Sequence, residues 1–204
     1  TWLQGQGYPV LVTREPGGTP VADQIRQLLL DQKTKISPHL ELFLYEVARR
    51  DHVKEVILPA LRRGMIVLCD RVIDSTIASQ GNGRGHPLPL LQAMNSLATN
   101  SLKPTRTFLL DLPVAVGLAR SKKRLKNEAS REGRFEAESL AFHQRVRTGY
   151  LTLAAKERKR FCVIDATGNQ QEVFQRIRQA WRKFHGMGKH PKSRSGRRVF
   201  TRGG

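Results

Sequence analysis

Short apolar runs alternate along the chain with longer segments whose apolar residues recur every three or four positions. The short runs are rich in Val, Ile and Leu and predict β-strands, at 9–13, 65–69, 107–112 and 161–165. The longer segments predict helices, at 20–31, 38–63, 73–80, 89–99, 114–125, 135–158 and 171–184. Strands that alternate with helices at these spacings indicate βαβ units with right-handed crossovers. The pattern therefore predicts an α/β protein built on a parallel sheet.

The stretch 70–81 directly follows the predicted strand 65–69, whose continuous apolar run suits a strand buried on both faces of a sheet. Asp70 and Arg71 would then stand at the carboxyl end of this strand. Ligands of open α/β sheets bind in the crevice outside such ends, where a carboxylate and a guanidinium can hold a metal-bound water and a phosphate. The alternative is an Asp-Arg pair that only bridges to neighbouring turns, and the pattern alone favours neither.

The first two predicted helices carry three further candidates. Arg26 lies off the apolar stripe of the helix 20–31, so the pattern alone favours a solvated arginine there. Tyr45 and Arg49 are four residues apart and therefore share one helix face. An aromatic ring and a guanidinium on one face can sandwich and hydrogen-bond a planar base, although such a pair is more often a core edge beside a solvated charge.

Two segments are unusually rich in glycine or in cations. The glycine run 81–85 predicts a flexible loop, and it does not fit the dinucleotide fingerprint, because His86 stands where the third glycine would be. The segment 121–134 collects six cationic side chains around Gly133 and cannot form a packed core. It is either a solvated linker or a flap that folds onto an anion, and its composition favours the linker.

The composition is strongly basic, with a formal net charge of +19 over 204 residues. Residues 186–204 hold six of the 36 Lys and Arg side chains and no acid, so the body 1–185 has 30 basic against 17 acidic side chains, or +13. A basic chain prefers polyanions such as nucleotides or nucleic acid. The composition of the tail, 186–204, is typical of disorder.

No pattern indicates export or a membrane location. No apolar run approaches the roughly 20 residues that a bilayer span needs, and the first ten residues show no signal or transit peptide. Cys69 and Cys162 lie in predicted strands, which favours reduced, buried thiols over a disulfide or a metal cluster. We therefore expect a cytoplasmic protein. The chain starts at Thr1 without a methionine, and residues 1–8 resemble a last helical turn that ends at glycine, so we expect the true start to be missing.

Five segments of the chain together resemble the bacterial thymidylate kinase family. They are 13-TREPGGTP-20, 42-LFLYEVARRDHV-53, 69-CDRVIDSTIASQG-81, 134-RFEAESLAFHQRVRTGYL-151 and 163-VIDATG-168. One such segment would be a weak signal, but all of them in this order are specific. The resemblance implies a three-layer P-loop nucleoside monophosphate kinase fold with a parallel sheet over 1–185. It also implies a homodimer that uses ATP and Mg²⁺ to transfer the γ-phosphoryl of ATP to dTMP, giving dTDP.

The same resemblance implies roles for residues around dTMP. Arg71 and Arg26 would grip the phosphate of dTMP, and the base would stack on Tyr45. The side chains that would hydrogen-bond the thymine edge are Arg49, Thr76 and Gln80. A wrong base would then leave buried polar groups unpaired and would be rejected.

Further roles concern the transferred phosphoryl group and ATP. Glu15 and Asp70 would lie near the metal and the transferred group. The segment 121–134 would be the lid, and its arginines would neutralise charge on the phosphoryl group during transfer. The candidates are Arg124, Arg131 and Arg134. The chain near Gly168 would approach the adenine.

The chain departs from the family pattern at several positions. Val72 replaces a common aromatic residue, Gly133 replaces the usual lid aspartate, and Ser79 stands where a tyrosine commonly blocks the ribose 2′-hydroxyl. No G-x-x-x-x-G-K-[ST] phosphate loop occurs in the 204 residues, so we expect the family's central first strand to be absent and this chain to be inactive by itself. The alternatives are another nucleoside monophosphate kinase, against which the base-binding residues argue, and a non-catalytic relative that binds nucleic acid through its basic tail.

Overall fold

The computed structural model describes residues 1–127 and 132–185. The strands are β1 (Val10–Arg14), β2 (Ile66–Asp70), β3 (Thr107–Asp111) and β4 (Phe161–Asp165). The α-helices are α1 (Pro20–Leu30), α2 (Pro38–His52), α3 (Leu58–Arg62), α4 (Ile73–Thr76), α5 (Leu88–Thr99), α6 (Val114–Asn127), α7 (Leu140–Lys156) and α8 (Gln170–His185). A 3₁₀ turn covers Gln4–Gln6, and π-helical segments cover Val53–Ile57 and Ile77–Gly83. The predicted alternation of strands and helices is confirmed. Within the described ranges, no helix is both long and apolar enough to cross a membrane.

The four strands form two parallel pairs. β1 pairs with β2 in a register that sets Arg14 opposite Asp70, and β3 pairs with β4 with Asp111 opposite Asp165. No strand pairing joins the two pairs within residues 1–127 and 132–185. Each strand therefore has one edge without a strand partner in this part of the chain, and the predicted parallel sheet is present as two halves.

Strand β2 is less buried than its apolar sequence predicts. Residues 66–69 are all half-buried rather than covered on both faces. A two-stranded sheet leaves one side of β2 open, so water reaches side chains that a wider parallel sheet would cover. Cys69 and Cys162 are free thiols, as predicted, but both are only half-buried.

Local signals set the starts of the helices that carry the candidate site. The Thr19 hydroxyl accepts a hydrogen bond from the Ala22 amide at 3.0 Å, and Pro20 takes the first position of α1. Ser37 caps α2 in the same way, directly before Pro38. α2 then continues through a π-helical segment into α3, which confirms the long helical region predicted over 38–63.

Helix α7 begins five residues later than the predicted position 135, at Leu140. The Ser139 hydroxyl accepts a hydrogen bond from the Phe142 amide at 3.2 Å and so fixes this start. Phe135 lies before the helix, where its ring meets the Tyr45 ring edge-on at 6.2 Å. The apolar pattern did not separate this packing residue from the helix that follows it.

The glycine run 81–85 is more ordered than the flexible loop that we predicted. Residues 77–83 form a π-helical segment that packs on α7. A Cβ on Gly83 would lie 2.6 Å from the Phe142 ring, and one on Gly81 would lie 2.9 Å from Leu91. The glycines therefore permit close packing here.

Two bidentate ion pairs connect helices to the β3–β4 pair. Arg147 of α7 donates to both carboxylate oxygens of Asp111, at the end of β3, at 2.7 and 2.8 Å. Arg160, directly before β4, donates to both oxygens of Asp74 at 2.7 and 2.8 Å. Asp74 belongs to α4, so the second pair fixes the chain that follows β2 against the start of β4.

Candidate active site

A pocket opens beside the ends of β1 and β2, next to α2 and the helical segment that follows β2. The residues that line it are Glu15, Tyr45, Arg49, Arg71, Ser75, Thr76, Ser79 and Gln80. Six of these eight are candidates from the sequence, and they come from three separate stretches of the chain. The fold thus brings together six of the twelve residues for which the family resemblance implied a role.

Arg49 is the central cation of this pocket and is only 2% exposed. Its side-chain acceptors are Glu15 (2.7 Å, from Nε) and Glu46, Asn95 and Thr76 (2.5, 2.7 and 2.8 Å, from Nη1). Its Nη2 donates to the Val72 carbonyl at 3.3 Å. Nη1 has two hydrogens for its three acceptors, so one hydrogen is shared, and Nη2 keeps a second hydrogen, besides the one that meets Val72, for a ligand.

The two glutamates that contact Arg49 respond in opposite directions. Burial disfavours the charge of Glu15, but the charge of Arg49 and hydrogen bonds from His52 and Arg49 outweigh it, so the pKa of Glu15 is lowered. Burial dominates at Glu46 and raises its pKa despite the attraction of Arg49. Among the described residues, Glu46 Oε2 is buried without a hydrogen-bond partner. One cation therefore stabilises the first carboxylate well and the second only in part.

Two other polar side chains of the pocket are also held by buried glutamates. Thr76 is 1% exposed; its hydroxyl accepts from Arg49 at 2.8 Å and donates to Glu46 at 3.2 Å. Gln80 is 2% exposed, and its Nε2 donates to Glu41 at 2.8 Å. These contacts fix both side chains in the absence of any ligand.

Arg71 and Tyr45 form the more open side of the pocket. Arg71 has a φ of 64°, in the left-handed region that non-glycine residues seldom adopt, and it is exposed. Burial raises the pKa of Tyr45 to about 12, although the charge of Arg71 opposes this shift. An exposed guanidinium beside a neutral aromatic ring suits a ligand with an anionic part and a planar part.

Glu15 and Asp70, the two metal candidates, differ in their availability. Glu15 is 4% exposed, and its oxygens already contact Arg49 Nε at 2.7 Å and His52 Nδ1 at 3.2 Å. Asp70 is exposed at the end of β2, and its carboxylate makes no hydrogen bond within the described residues. Mg²⁺ takes oxygen ligands in near-octahedral geometry, so the Asp70 carboxylate fits this ion and the Glu15 carboxylate is already engaged.

Glu15, His52 and Cys69 place their donor atoms within 4.8 Å of one another. Both His52 nitrogens are nevertheless engaged, since Nε2 lies 2.7 Å from the Thr13 hydroxyl and Nδ1 contacts Glu15. Burial raises the pKa of the Cys69 thiol, which disfavours the thiolate that a metal needs. We therefore interpret this group as a hydrogen-bonded support for Glu15.

Arg26 does not line the pocket, because it is paired with the predicted lid segment (121–134). Its Nε and Nη2 donate to the two oxygens of Glu132 at 2.9 and 2.8 Å, and its Nη1 donates to the Pro16 carbonyl at 3.0 Å. The carboxylate of Glu132 thus occupies the guanidinium edge that would bind a phosphate in the same bidentate manner.

The three arginines predicted for the lid have different surroundings. Arg134 donates to the Leu29 carbonyl at 2.6 Å and to Glu41 at 2.7 Å, so it is engaged beside α1. The Arg124 side chain is 62% exposed and lies 4.0 Å from Glu136. Arg131 lies outside the described residues, as does the tail 186–204.

Gly168, near which we expect the adenine, lies two residues before the start of α8 and has a φ of 94°. Arg120 donates to the carbonyls of Ala166 and Gly168 at 3.0 and 2.9 Å. An open depression beside this turn is lined by Asn169, Gln171, Glu172, Phe174 and Gln175. The turn is therefore ordered and accessible at the start of a helix.

The sequence analysis did not identify the polar residues that hold the pocket from behind, Glu41, Glu46 and Asn95. Part of the signal was present, since Glu41, Tyr45 and Arg49 are spaced four apart and share one face of α2. Asn95 is 46 residues from Arg49, and only the packing of α5 against α2 brings them together.

Comparison with known proteins gives the family of this chain. The family profile described as thymidylate kinase matches residues 1–177. The thymidylate kinase of Citrifermentans bemidjiense is 51% identical over 183 residues, 89% of this chain and 81% of the relative. That of Syntrophotalea carbinolica is 52% identical over 177 residues, 86% of this chain and 82% of the relative. The crystal structure of thymidylate kinase from Ehrlichia chaffeensis aligns with a TM-score of 0.68 and 28% identity, over 88% of this chain and 87% of that one. With this identity and coverage, the chain belongs to the thymidylate kinase family.

Proposed function

We propose that this chain binds dTMP for a kinase reaction in which the γ-phosphoryl of ATP is transferred to dTMP to give dTDP. The observation that supports it most is the single pocket that brings Tyr45, Arg49, Arg71 and Gln80 together in a member of this family. A pyrimidine nucleotide needs an aromatic face, fixed hydrogen-bonding groups and an accessible cation. Phosphoryl transfer depends mostly on positioning and charge neutralisation, which such a pocket provides for the acceptor.

The base is proposed to stack on Tyr45, with its edge facing Arg49 and Gln80. Arg49 would donate its remaining Nη2 hydrogen to a base oxygen. Thr76 already donates to Glu46 and accepts from Arg49, so we infer that it acts on the base mainly by positioning Arg49.

The phosphate of dTMP is assigned to Arg71, whose guanidinium is the accessible cation of the pocket. Arg26 would join it only after exchanging the carboxylate of Glu132 for the phosphate. Both anions bind a guanidinium through two parallel hydrogen bonds, so this exchange conserves the geometry.

ATP and Mg²⁺ are proposed as co-substrate and cofactor from the family resemblance. Asp70 would hold Mg²⁺ through a carboxylate oxygen, and the ion would neutralise phosphate charge. Glu15 would contribute indirectly, because it fixes Arg49 from within the protein. The turn at Gly168 remains the proposed contact for the adenine.

The lid arginines Arg124 and Arg131 are proposed to neutralise charge on the transferred phosphoryl group. Arg134 stays a candidate for the same role, but it would have to leave Glu41 first. The homodimer and the cytoplasmic location also stay predictions of the family resemblance.

Replacing Arg71 with lysine is expected to weaken dTMP binding by about ten- to hundredfold, since lysine keeps the charge but loses the planar fork. Thymidine, which lacks the phosphate, should bind the variant and the wild type equally. Isothermal titration with both ligands measures the difference, and Arg145→Lys, at an arginine that donates to the Gly83 carbonyl at 2.9 Å, is the control. An equal loss for thymidine, or no loss for dTMP, would show that Arg71 is structural.

The tail 186–204 supports a second candidate, binding of nucleic acid, through its six cations. Deleting the tail is expected to remove most DNA binding and to leave dTMP affinity unchanged. The affinity of the full chain for DNA should fall steeply with salt, because phosphate contacts release counterions. A DNA titration at two salt concentrations tests this. If the shortened chain binds DNA as tightly, the nucleic-acid-binding alternative gains support.

A further inference from the structure

Glu41 lies directly behind Gln80 and is fully buried, although it does not line the pocket. Three side chains donate to its carboxylate. They are Gln80 at 2.8 Å, Arg84 at 3.0 and 3.2 Å, and Arg134 at 2.7 Å. Arg84 is itself fixed by a second carboxylate, Glu138 at 2.6 Å, and by the Phe142 ring 4.6 Å away. The position of Glu41 is therefore determined from several sides.

The charge state of Glu41 decides whether the NH₂ group or the carbonyl oxygen of the Gln80 amide can hydrogen-bond to it. Burial disfavours the charge, but hydrogen bonds from Arg84, Gln80 and Arg134 outweigh burial and lower the pKa of Glu41. An ionised carboxylate only accepts hydrogen bonds, so it can be met only by the NH₂ group of Gln80. The partner thus dictates the orientation of an amide whose two ends have nearly the same shape.

The other end of the amide is the carbonyl oxygen of Gln80. This oxygen accepts no hydrogen bond from residues 1–127 or 132–185, whereas Gln80 lines the pocket. Thymine carries a hydrogen on N3, which such an oxygen can accept. Cytosine has a bare lone pair at N3, which would face the same oxygen and be repelled.

We propose that Glu41 is a positioning residue that sets the preference for thymine over cytosine. It holds the NH₂ group of Gln80 and so makes the carbonyl oxygen the acceptor that the base meets. Turning the amide around would pair cytosine, but it would also bring the Gln80 oxygen against the Glu41 carboxylate. The inference rests on the proposed function, because it requires Gln80 to face the base.

The variant Glu41→Gln tests this inference. An amide at position 41 can donate as well as accept, so Gln80 becomes free to present either end to the base. We expect the ratio of the dissociation constants for dCMP and dTMP to fall about tenfold or more, the size of effect that one buried unpaired group produces. The matched control is Glu138→Gln, which takes a carboxylate from Arg84 without touching Gln80 and should keep the wild-type ratio.

Isothermal titration of the full chain with dTMP and dCMP gives this ratio, and circular dichroism confirms that each variant is folded. If Glu41→Gln does not fold, Glu41→Gln with Arg84→Gln removes the carboxylate together with one of its two arginine partners and should lower the ratio equally, whereas Arg84→Gln alone should keep it. A folded Glu41→Gln variant with the wild-type ratio would overturn the role proposed for Glu41 and would leave the proposed function standing. A wild type that does not prefer dTMP to dCMP would overturn the proposed function and this inference with it.

Discussion

Replacing Arg49 with alanine is expected to destabilise the protein by about 3–5 kcal/mol, because it leaves buried carboxylates without their counterion. Glu15 and Glu46 are 4% and 6% exposed, and both contact Arg49 at 2.7 Å or less. In a protein of this size such a loss lowers the thermal midpoint by about 6–20 °C. In the folded fraction, dTMP affinity should fall about ten- to hundredfold while ATP affinity changes little, since the guanidinium faces the base.

Thermal unfolding followed by circular dichroism measures the loss of stability. The matched control is Arg50→Ala, the next residue of α2, whose guanidinium is exposed and donates to Asn100 at 2.5 Å. Its thermal midpoint should change by no more than a few degrees, since exposed pairs contribute little. Titrations with dTMP and ATP below the midpoint test the base assignment. They use the chain joined at its amino terminus to a strand and phosphate loop from a thymidylate kinase relative, because the 204 residues contain no phosphate loop for ATP. Equal losses for both nucleotides would contradict a role of Arg49 at the base.

The difference between the wild type and Arg49→Ala should shrink as the pH falls. In the wild type the pKa of Glu15 is lowered from 4.5, so its stabilising contribution is present above that value and is lost as the pH falls through the folded pKa. Without Arg49, only His52 still opposes the effect of burial, so the pKa of Glu15 is higher than in the wild type. As the pH falls, Glu15 is therefore protonated first in the variant, which removes the cost of its unpaired buried charge. The wild type loses the stabilising contribution of Glu15 only at lower pH. A constant difference between pH 7 and pH 4 would contradict this account.

Much of the fold could be predicted because its signals are local. The caps at Thr19 and Ser37 and the apolar periodicity of α1 and α2 act within a few residues, and their boundaries agree with the structure. The start of α7 and the burial of β2 depend on tertiary contacts instead. Phe135 is placed by the ring of Tyr45, and β2 is only half-buried because it pairs with one strand only.

The candidate site could be predicted in part: residues that line the pocket were named, and the acids that support them were not. Tyr45, Arg71 and Gln80 could be named because the segments that contain them resemble the thymidylate kinase family, which implied their roles. The supporting acids could not, because a glutamate on a helix is usually solvated. Only the packing of α2 against the segment 77–83 and against α5 shows that Glu41 and Glu46 are buried.

The structure also explains why a predicted arginine can be present and yet engaged elsewhere. Arg26 and Arg134 both contact carboxylates, Glu132 and Glu41, in the absence of a phosphate. A guanidinium at less than 20% exposure needs a compensating anion when no ligand supplies one. The solvated arginine that the pattern favoured at position 26 is therefore wrong, since Arg26 is largely buried and paired with Glu132. The family resemblance implied a phosphate as the anion, and in the structure a carboxylate of the chain takes that place.

The 204-residue chain by itself is expected to show no measurable dTMP kinase turnover. Its sequence contains no G-x-x-x-x-G-K-[ST] motif, whose backbone N–H groups, helix amino terminus and lysine hold the β- and γ-phosphates of ATP. The lid arginines act on the same phosphates, but an arginine contribution of roughly 10³–10⁵ in rate presumes an aligned nucleotide. In the described part of the chain, each strand pair also keeps edges without a strand partner, so backbone groups that a further strand could pair remain open.

A coupled assay for ADP, run with dTMP and ATP, tests this expectation. The comparison is the same chain joined at its amino terminus to a strand and phosphate loop from a thymidylate kinase relative. Turnover should appear only in the joined protein, because alignment of the ATP phosphates is what the added segment provides. Binding of dTMP should be similar in both, since the residues assigned to the base and its phosphate lie within the 204. If the shorter chain turns over at a rate near that of the joined protein, alignment of ATP must come from residues of this chain, and the mechanism proposed for phosphoryl transfer would be wrong.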